Sequence, residues 1–343
     1  MEKRRKVLII NTGGTIGMKS TEQGYEVAAG FLQEQLSKTP EIGESKMPDY
    51  EIFEFEPVMD SAQMTPRDWG KIAEAIVSRH DDFDCFLVLH GTDTMAYTAS
   101  ALAFLLQGLQ KTVILTGSQI PLCETRNDAR DNLVTALLIA AEHDIPEVCI
   151  LFGEYLLRGC RATKASVYDF DAFRSPNYLP LGEIGTTIRI FERRFLQREP
   201  QPLQLANFRS TRLGTFRLFP GLSADVVENL LAQPLEALIL ETYGVGTGPA
   251  NNRDFLNVLE KASNRGVVIV SCSQCEHGTV SPRDYAAGTA LANAGVVSGE
   301  DMTIESAIAK LHFLLGQNLT IDEVRSRIGL NIVGELTPPA ARN

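Results

Sequence analysis

The sequence predicts an α/β fold of two domains, a larger N-terminal domain on a mostly parallel sheet flanked by helices and a smaller C-terminal α/β domain. The chain has 343 residues, more than the ~100–200 of a typical single domain. Short apolar runs, typical of buried strands, alternate with segments of helical periodicity, and this repetition indicates parallel strands joined by right-handed crossovers. A charged segment with two prolines interrupts the alternation once, after which it resumes.

In the first domain, assigned to residues 1–191, apolar runs predict strands at residues 7–10, 52–55, 86–89, 113–115 and 148–152. Helices are expected between them. The clearest begins at Thr65, because a threonine N-cap followed by proline is typical of a helix start and Ile72, Ala75 and Ile76 then recur at helical spacing. The same features predict helices over residues 93–106 and 128–141.

Residues 192–212 have no sustained period and contain Pro200 and Pro202, so they predict an interdomain linker. The second domain, assigned to residues 213–343, again alternates strands and helices. Its strands are predicted at residues 214–219, 237–240 and 267–272, and its helices at 223–231, 252–262, 287–294, 303–315 and 321–327.

The charge balance argues against two classes of partner. The chain carries 32 basic and 43 acidic residues, a net charge of -11 at pH 7, and no basic patch is evident beyond residues 3–6. Nucleic acid and anionic membranes are therefore not expected as partners. The apolar run 7–10 is shorter than the ~7–15 residues of a secretion signal. The sequence contains no run of about 18 apolar residues, the length that a membrane-spanning helix needs. We therefore predict a cytoplasmic protein.

The six cysteines are scattered, and several lie inside apolar runs, where a reduced thiol packs as a small hydrophobic group. Cys272 and Cys275 form the one local pair, with His277 close by in the sequence. A redox dithiol or half of a metal site is one interpretation of that pair. No second pair or ligand set accompanies it, so a buried structural role is favoured, and no metal or cofactor is expected.

The most informative motif is Asn11-Thr12-Gly13-Gly14-Thr15-Ile16-Gly17, directly after the first predicted strand. Its glycines allow a tight turn and leave backbone N–H groups unshielded, which suits a bound anion or a developing oxyanion. Taken alone, the motif leaves open a structural turn, a phosphate-binding loop or a catalytic hydroxyl. Phosphate binding fits poorly, because the motif has neither the G-x-G-x-x-G pattern nor a G-K-[ST] ending.

A second motif, His90-Gly91-Thr92-Asp93-Thr94-Met95, follows the strand predicted at residues 86–89. Thr92 and Asp93 place a hydroxyl and a carboxylate where a helix begins and its dipole is positive. Simple helix capping is the alternative interpretation. His90 is expected to be structural, because its side chain alternates away from those of its neighbours. Since ligands bind beyond the carboxyl ends of parallel strands, the two motifs predict one shared site.

These two motifs, in this order, are similar to the two signatures of bacterial-type L-asparaginases. Thr116-Gly117-Ser118-Gln119, Arg161-Ala162-Thr163-Lys164 and Tyr243-Gly244-Val245-Gly246 also resemble that family. The resemblance covers nearly the whole chain and is greatest to the cytoplasmic type I branch. It implies hydrolysis of L-asparagine to aspartate and ammonia without a metal or cofactor. It also implies a homodimer or homotetramer whose pocket lies close to a subunit contact.

Matched position by position, the resemblance implies that Thr15 is the nucleophile that attacks the side-chain amide. Tyr25 would close beside it on a flexible loop, residues 19–25. The second catalytic group would consist of Thr92, Asp93 and Lys164. A threonine hydroxyl needs a positioned base, and tyrosine or lysine can act as one only when its protonation is perturbed or relayed.

The substrate-binding residues implied by the resemblance are Asp60, Ser61, Thr92, Asp93 and Ser118. Ser61 would lie near the α-carboxylate, Asp93 would hold the α-ammonium group, and Ser118 would lie near the amide. Secreted members of the family place a glutamine at Ala62 that touches the substrate. Alanine cannot form that hydrogen bond, so affinity for free asparagine is expected to be weaker.

Some cytoplasmic members are activated by asparagine at a second site, at positions that correspond to Thr163, Glu241 and Cys275. A carboxylate at Glu241 would repel the carboxylate of that ligand, so allosteric activation is a hypothesis here. Two other functions stay open: a broad glutaminase-asparaginase, because one methylene changes binding by only ~1–3 kcal/mol, and a non-catalytic amino-acid sensor. The reaction itself could proceed through an acyl-enzyme on Thr15 or by direct attack of water assisted by Thr92 and Lys164.

Overall fold

The computed structural model describes residues 4–22, 24–27, 30–197, 199–282 and 284–338. The chain divides into two compact units and confirms the predicted fold class, with a large, mostly parallel sheet in the first unit and a smaller parallel sheet in the second. The boundary between the units follows Ala206, and Pro176–Tyr178 belong to the second unit. In the part of the chain that the structure describes, no helix is long and apolar enough to cross a membrane.

The first unit contains each of the strands and helices predicted for it, with small shifts at their ends. Its strands are β1 Lys6–Asn11, β2 Met18–Thr21, β3 Gly24–Val27, β4 Asp49–Glu54, β5 Cys85–Leu89, β6 Leu106–Gln107, β7 Thr112–Thr116, β8 Val148–Phe152, β9 Tyr155–Arg158, β10 Thr163–Lys164, β11 Phe173–Arg174, β12 Gly182–Ile184, β13 Ile188–Ile190 and β14 Gln204–Leu205. Its helices are α1 Phe31–Ser37, α2 Pro66–Val77, α3 Met95–Leu105 and α4 Ala129–Glu142.

The main sheet has the strand order β13-β12-β9-β8-β7-β5-β1-β4. Strands β4, β1, β5, β7 and β8 are parallel, and every residue of β5, β7 and β8 is buried, as in a sheet covered on both faces. The chain leaves β1 for β4 on one side and returns to β5 on the other, so the strand order reverses at β1. Such a reversal creates a crevice at the carboxyl ends of the strands, and both threonine motifs begin there.

An antiparallel extension that the sequence did not predict enlarges this sheet. β9 returns against β8, and β12 and β13 continue the antiparallel pairing outward. β12 and β13 are three residues each and partly exposed, too short and irregular to give a periodic signal. After β9, a short turn over Gly159–Arg161 leads into β10, which carries Lys164.

In the segment 19–25, predicted as a flexible loop, residues 19–21 and 24–25 pair in an antiparallel hairpin of β2 and β3. Lys19 pairs with Glu26 and Ser20 with Tyr25, while Gln23 lies outside the described residues. The Thr21 hydroxyl donates to the Gly24 carbonyl at 2.7 Å across the turn. The two strands were not predicted, because their polar, exposed side chains give no apolar alternation that would reveal the pairing. Closure of this segment beside Thr15 stays a prediction.

Part of the segment predicted as a linker is anchored on the first unit. β14 pairs with β6, and the Leu196 amide donates to the Glu147 carboxylate. That carboxylate is buried in an ion pair with Arg158, whose guanidinium also donates to the Arg194 carbonyl. These contacts hold the chain along the first unit before it reaches the boundary at Ala206.

The second unit is a parallel sheet in the order β15-β16-β17-β18, built of β15 Leu213–Arg217, β16 Ala237–Thr242, β17 Val268–Ser273 and β18 Val296–Ser298. Its helices are α5 Ala224–Ala232, α6 Arg253–Asn264, α7 Ala286–Asn293, α8 Ile304–Gly316 and α9 Ile321–Ile328. Leu238 and Ile269 pack with α5, α6 and α7, whereas Ile239 and Val270 pack with α8 and α9, so helices cover both faces. Cys272 lies in the second of these cores, and burial raises its pKa to about 12.

Candidate active site

The turn after β1 is held by both neighbouring strands. The amide and the hydroxyl of Thr12 both donate to the Leu89 carbonyl at the end of β5, at 3.0 and 2.9 Å. The buried Asn11 side chain accepts from the Gly13 amide at 3.1 Å and donates to Glu54 of β4 at 2.6 Å. The start of the glycine-rich turn is therefore fixed to β4 and β5 before Thr15 is reached.

Two glycines bring the two motifs into direct backbone contact. Gly14 has a φ of 92°, and a Cβ on it would lie 2.4 Å from the Gly91 nitrogen. A Cβ on Gly91 would lie 2.3 Å from Ser61 Oγ. Neither position has room for a side chain, and Gly14 also adopts a conformation that only glycine enters freely. Thr15 and Thr92 follow these glycines directly, so the two threonines and Ser61 occupy one small region.

Lys164 connects β10 to the second motif. Its Nζ donates to Thr92 Oγ1 and to Asp93 Oδ1, both at 2.8 Å. The Lys164 side chain is 16% exposed and the Asp93 side chain 67%, while Thr92 is buried. The structure thus brings the predicted group of Thr92, Asp93 and Lys164 together. The Lys164 amino group is hydrogen-bonded to the hydroxyl of this group, and the carboxylate still faces solvent on one side.

The helix-capping alternative does not describe how the second motif uses its side chains. Thr94 occupies the N-cap position of α3 but makes no capping bond there. Its hydroxyl donates instead to the Ser61 carbonyl at 2.8 Å. Asp60 caps a different turn, the 3-10 turn Ser61–Gln63, by accepting from the Ala62 amide at 3.0 Å. Asp60 is exposed and Ser61 is buried beside Gly91.

Ser118 lies just beyond the end of β7. It is fully buried, and its Oγ has no hydrogen-bond partner within the described residues. A Cβ on the preceding Gly117 would lie 2.3 Å from the His90 carbonyl oxygen. The loop of Ser118 therefore packs on the strand end that carries the second motif.

Tyr25, on β3, is hydrogen-bonded to a carboxylate. Its hydroxyl donates to Glu124 at 2.9 Å, and the ring is half exposed. This hydrogen bond to a carboxylate raises the pKa of Tyr25, because the carboxylate favours the protonated phenol. Raising the pKa is the opposite of what activation as a base at neutral pH requires.

His90 is a buried structural residue, as predicted. Its Nδ1 lies 2.7 Å from the Gly91 carbonyl oxygen and its Nε2 lies 2.8 Å from the Thr98 hydroxyl. A carbonyl can only accept, so Nδ1 carries the proton and the Thr98 hydroxyl donates to Nε2. Burial lowers the pKa of His90 from 6.5 to about 4, which keeps the ring neutral.

Comparison with known proteins identifies the family. Residues 6–196 match the family model described as "Asparaginase, N-terminal", and residues 212–327 match "Glutaminase/Asparaginase C-terminal domain". The chain belongs to the asparaginase family. It is 49% identical over 341 residues to L-asparaginase 1 of Escherichia coli K12, covering 98% of this chain and 99% of that protein.

Solved structures of asparaginases also superimpose on the chain. L-asparaginase I of Vibrio cholerae is 45% identical, with a TM-score of 0.90 over 97% of this chain and 99% of that one. The thermostable L-asparaginase of Thermococcus kodakarensis is 30% identical, with a TM-score of 0.85 over 97% and 99%. The likeness in structure therefore extends well beyond the two signature motifs.

The asparaginase positions named for a second, allosteric site are divided between the units. Thr163 lies on β10 of the first unit, and Glu241 lies on β16 of the second. Glu241 accepts from Arg217 of β15 at 3.0 Å, an ion pair that the sequence did not predict. Cys275 is exposed after β17, and its amide donates to Ser273 Oγ at 3.0 Å.

Sequence reasoning missed several side chains that support the asparaginase motifs. They are Asn11, Glu54, Glu124, Asp128 and Asn132. Asn11 offered one signal, since a polar residue that ends an apolar strand beside a Gly-Gly turn is suited to bind that turn. The others bind segments between 8 and 99 positions away in the sequence, and no local pattern pairs them.

Proposed function

We propose that this chain is an L-asparaginase that hydrolyses the side-chain amide of L-asparagine to L-aspartate and ammonia, with Thr15 as the nucleophile. The relatives from E. coli and V. cholerae carry the name of that activity. The observation that carries the proposal is the position of Lys164 Nζ, 2.8 Å from Thr92 Oγ1 and 2.8 Å from Asp93 Oδ1. In this arrangement Lys164 and Thr92 form a pair that can exchange a proton, and Asp93 provides an exposed carboxylate. Both lie at the strand ends from which the turn with Thr15 begins.

In this proposal the exposed carboxylate of Asp93 binds the substrate ammonium group, and Ser61 and Asp60 lie on the side of the α-carboxylate. Ser118, with its unpaired buried hydroxyl, contacts the amide. Backbone N–H groups of the turn after β1 stabilise the oxyanion, each by roughly 3 kcal/mol. The opposite charges of the amino acid's α-groups thus fix its orientation and present the side-chain amide to Thr15.

The favoured reaction has two steps. The Thr15 oxygen bonds to the amide carbon, the C–N bond breaks, and the nitrogen leaves as ammonia with the proton that Thr15 lost. Water then adds to the ester carbon, the bond to Thr15 breaks, and the hydroxyl regains a proton as aspartate leaves. Thr92 and Lys164 relay the protons, because Thr92 is buried and Lys164 is its hydrogen-bond donor.

The same proposal includes a cytoplasmic location and a homo-oligomer, a dimer or tetramer, and keeps residues 1–191 and 213–343 as the two domains. Activation by asparagine through Thr163, Glu241 and Cys275 stays a hypothesis. The Arg217 partner of Glu241 would offset the repulsion of a ligand carboxylate. A sigmoidal rate curve for asparagine would support activation and a hyperbolic one would exclude it.

The experiment measures ammonia release from L-asparagine and L-glutamine by wild type, Thr15→Ala, Thr92→Ala and the double variant. Thr289→Ala, a threonine on α7 that bonds to its own helix, is the matched control. We expect each site variant to lose nearly all activity with its fold intact, and the double variant to lose no more, because both side chains serve one reaction. The control should retain full activity.

Three outcomes would contradict this expectation or change the proposed function. Near-full activity of either site variant would refute the assignment of these threonines. Equal rates on glutamine and asparagine would favour the broad glutaminase-asparaginase. Wild type that binds asparagine without releasing ammonia would establish a sensor instead of an enzyme.

A further inference from the structure

Two side chains at the start of α4 hold the loop that carries Ser118. Asp128 immediately precedes α4 and Asn132 lies in its first turn, and both are almost fully buried, with 6% and 3% of their surface exposed. Asp128 makes no capping bond to its own helix. Asn127 does so instead, accepting from the Arg130 amide at 3.0 Å. The two buried side chains are therefore free to act on the Ser118 loop.

Asp128 fixes the peptide that follows Ser118. Its carboxylate oxygens accept from the Gln119 amide at 3.1 and 2.9 Å, and Oδ1 also accepts from the Ile120 amide at 3.0 Å. The N–H and C=O of a trans peptide point in opposite directions. Holding the Gln119 N–H therefore sets the direction of the Ser118 carbonyl oxygen.

Asn132 fixes the peptide that precedes Ser118. Its Nδ2 donates to the Gly117 carbonyl at 3.0 Å, and its Oδ1 accepts from the Gly153 amide at 3.1 Å. By the same geometry, holding the Gly117 carbonyl sets the direction of the Ser118 N–H. Asn132 Nδ2 also lies 3.4 Å from Asp128 Oδ2, so the two side chains form one connected group.

Ser118 is thus restrained on both sides while its hydroxyl finds no partner among the described residues. Leaving a buried hydroxyl unpaired is unfavourable, so a restraint that keeps it unpaired needs a reason. Gly117 packs against the His90 carbonyl, which places the loop beside the strand end of Thr92. A ligand bound at that strand end would meet a serine whose backbone is already fixed and whose hydroxyl has no partner among the described residues.

We propose that Asp128 and Asn132 are positioning residues for amide hydrolysis, which hold Ser118 in the orientation that contacts the reacting amide. This inference rests on the proposed function. It assigns to the two buried side chains an effect on turnover, transmitted through Ser118, that is separate from their effect on stability.

The test measures kcat and KM for asparagine, and the temperature of unfolding, in Asp128→Asn, Ser118→Ala and their double variant. Asp128→Asn keeps the shape of the side chain but turns one acceptor oxygen into a donor. We expect kcat to fall ~10- to 100-fold with a smaller change in KM, because a small misplacement near the reacting atoms has that effect. In the Ser118→Ala background the same substitution should lower kcat by less than about threefold, since its target is gone.

Asn132→Asp provides a second variant with a distinct signature. It keeps the acceptor for the Gly153 amide but loses the donor to the Gly117 carbonyl while the introduced carboxyl is ionised. Protonation restores an O–H donor, so kcat relative to wild type should rise as the pH is lowered. A merely structural role would give no such recovery.

The matched control is Asp301→Asn in the second unit. Asp301 is also buried and accepts from the Thr337 amide at 2.8 Å and hydroxyl at 2.6 Å, so the same substitution removes similar bonds. It should lower the unfolding temperature without lowering kcat.

Three outcomes would each overturn the inference. The first is an unchanged kcat in Asp128→Asn, and the second is an equal loss of kcat in the Asp301→Asn control. The third is a double variant whose loss of kcat equals the product of the two single losses. If Asp128→Asn does not fold, a flat relative pH profile of Asn132→Asp overturns it. An inactive wild type would instead refute the proposed function and, with it, this inference.

Discussion

The substitution Lys164→Met is expected to remove most hydrolysis while leaving the fold nearly as stable as before. It keeps the length of the side chain but deletes the Nζ that donates to Thr92 Oγ1 and Asp93 Oδ1 at 2.8 Å. The two consequences differ in size because the two bonds lie in different surroundings. The Asp93 side chain is 67% exposed, whereas Thr92 is buried.

The stability effect should be small. An ion pair with one exposed partner contributes roughly 0–1 kcal/mol, because water screens it and solvates the carboxylate once the lysine is gone. The effect on the reaction should be much larger, since a positioned acid or base contributes ~10²- to 10⁴-fold. That range corresponds to roughly 3–5 kcal/mol of activation free energy. Activity and stability should therefore separate clearly in this variant.

The assay is ammonia release at saturating asparagine beside thermal unfolding of the same preparation. Lys71→Met is the matched control, because Lys71 Nζ lies 2.8 Å from Asp68 in an ion pair outside the candidate site. Lys164→Arg separates two roles, since arginine keeps the charge but does not give up its proton. We expect Lys164→Arg to stay as inactive as Lys164→Met. Restored activity in the arginine variant would refute the proton relay, and near-wild-type kcat in the methionine variant would refute any role in the reaction.

Three further perturbations have defined outcomes. Lys310→Met should lower the free energy of unfolding by about 3–5 kcal/mol in urea titration, because it leaves the fully buried carboxylate of Glu335 without its cation. The pKa of His90 is lowered to about 4 in the folded protein, so between pH 6.5 and 4 the unfolded chain binds a proton at this residue that the folded chain does not. The presence of His90 should therefore destabilise the wild type by roughly 2–3 kcal/mol as the pH falls from 7 to 4.5, and His90→Gln should flatten that dependence. Glu124→Gln removes the carboxylate that raises the pKa of Tyr25, so an NMR titration of labelled tyrosine should show the Tyr25 pKa shifting down.

Each of these three expectations can fail on its own. A loss of stability below about 1 kcal/mol in Lys310→Met would mean that water reaches the pair and screens it. An unchanged pH dependence in His90→Gln would assign the acid sensitivity to other groups. A Tyr25 pKa that does not move would show that the hydrogen bond to Glu124 does not persist in solution.

The fold was predictable where burial is continuous and unpredictable where it is not. The strands β5, β7 and β8 are buried at every residue, so each is an apolar run that sequence alone exposes. The helix after Thr65 was predicted from its threonine N-cap and the proline that follows. In the structure Asp68 completes that cap by accepting from the Thr65 amide and hydroxyl at 2.9 and 2.8 Å. The β2–β3 hairpin and the short strands β12 and β13 are partly exposed, and their pairing depends on neighbours remote in sequence.

The candidate site divides in a similar way. Thr15, Thr92 and Asp93 belong to contiguous motifs after apolar strands, and the resemblance of these motifs to the asparaginase signatures predicted their roles. Most of their supports do not form motifs, because the groups they bind lie outside the local sequence pattern. Asn11 bonds to Glu54, 43 positions away. Asp128 has the local pattern of a helix cap, yet its carboxylate turns back to the Gln119 amide.

The strand order explains why the candidate site depends on glycines, which have no reactive side chain. Because the order reverses at β1, the ends of β1 and β5 are neighbours, and Thr12 bonds to Leu89 across 77 positions of sequence. Adjacent strands lie ~4.8 Å apart, close enough for the two turns to collide if either carried side chains at the contact. Gly14 and Gly91 remove that obstacle, since a Cβ on Gly14 would stand 2.4 Å from the Gly91 nitrogen. The glycines therefore set the spacing of the two threonine motifs, and the supporting side chains set their orientation.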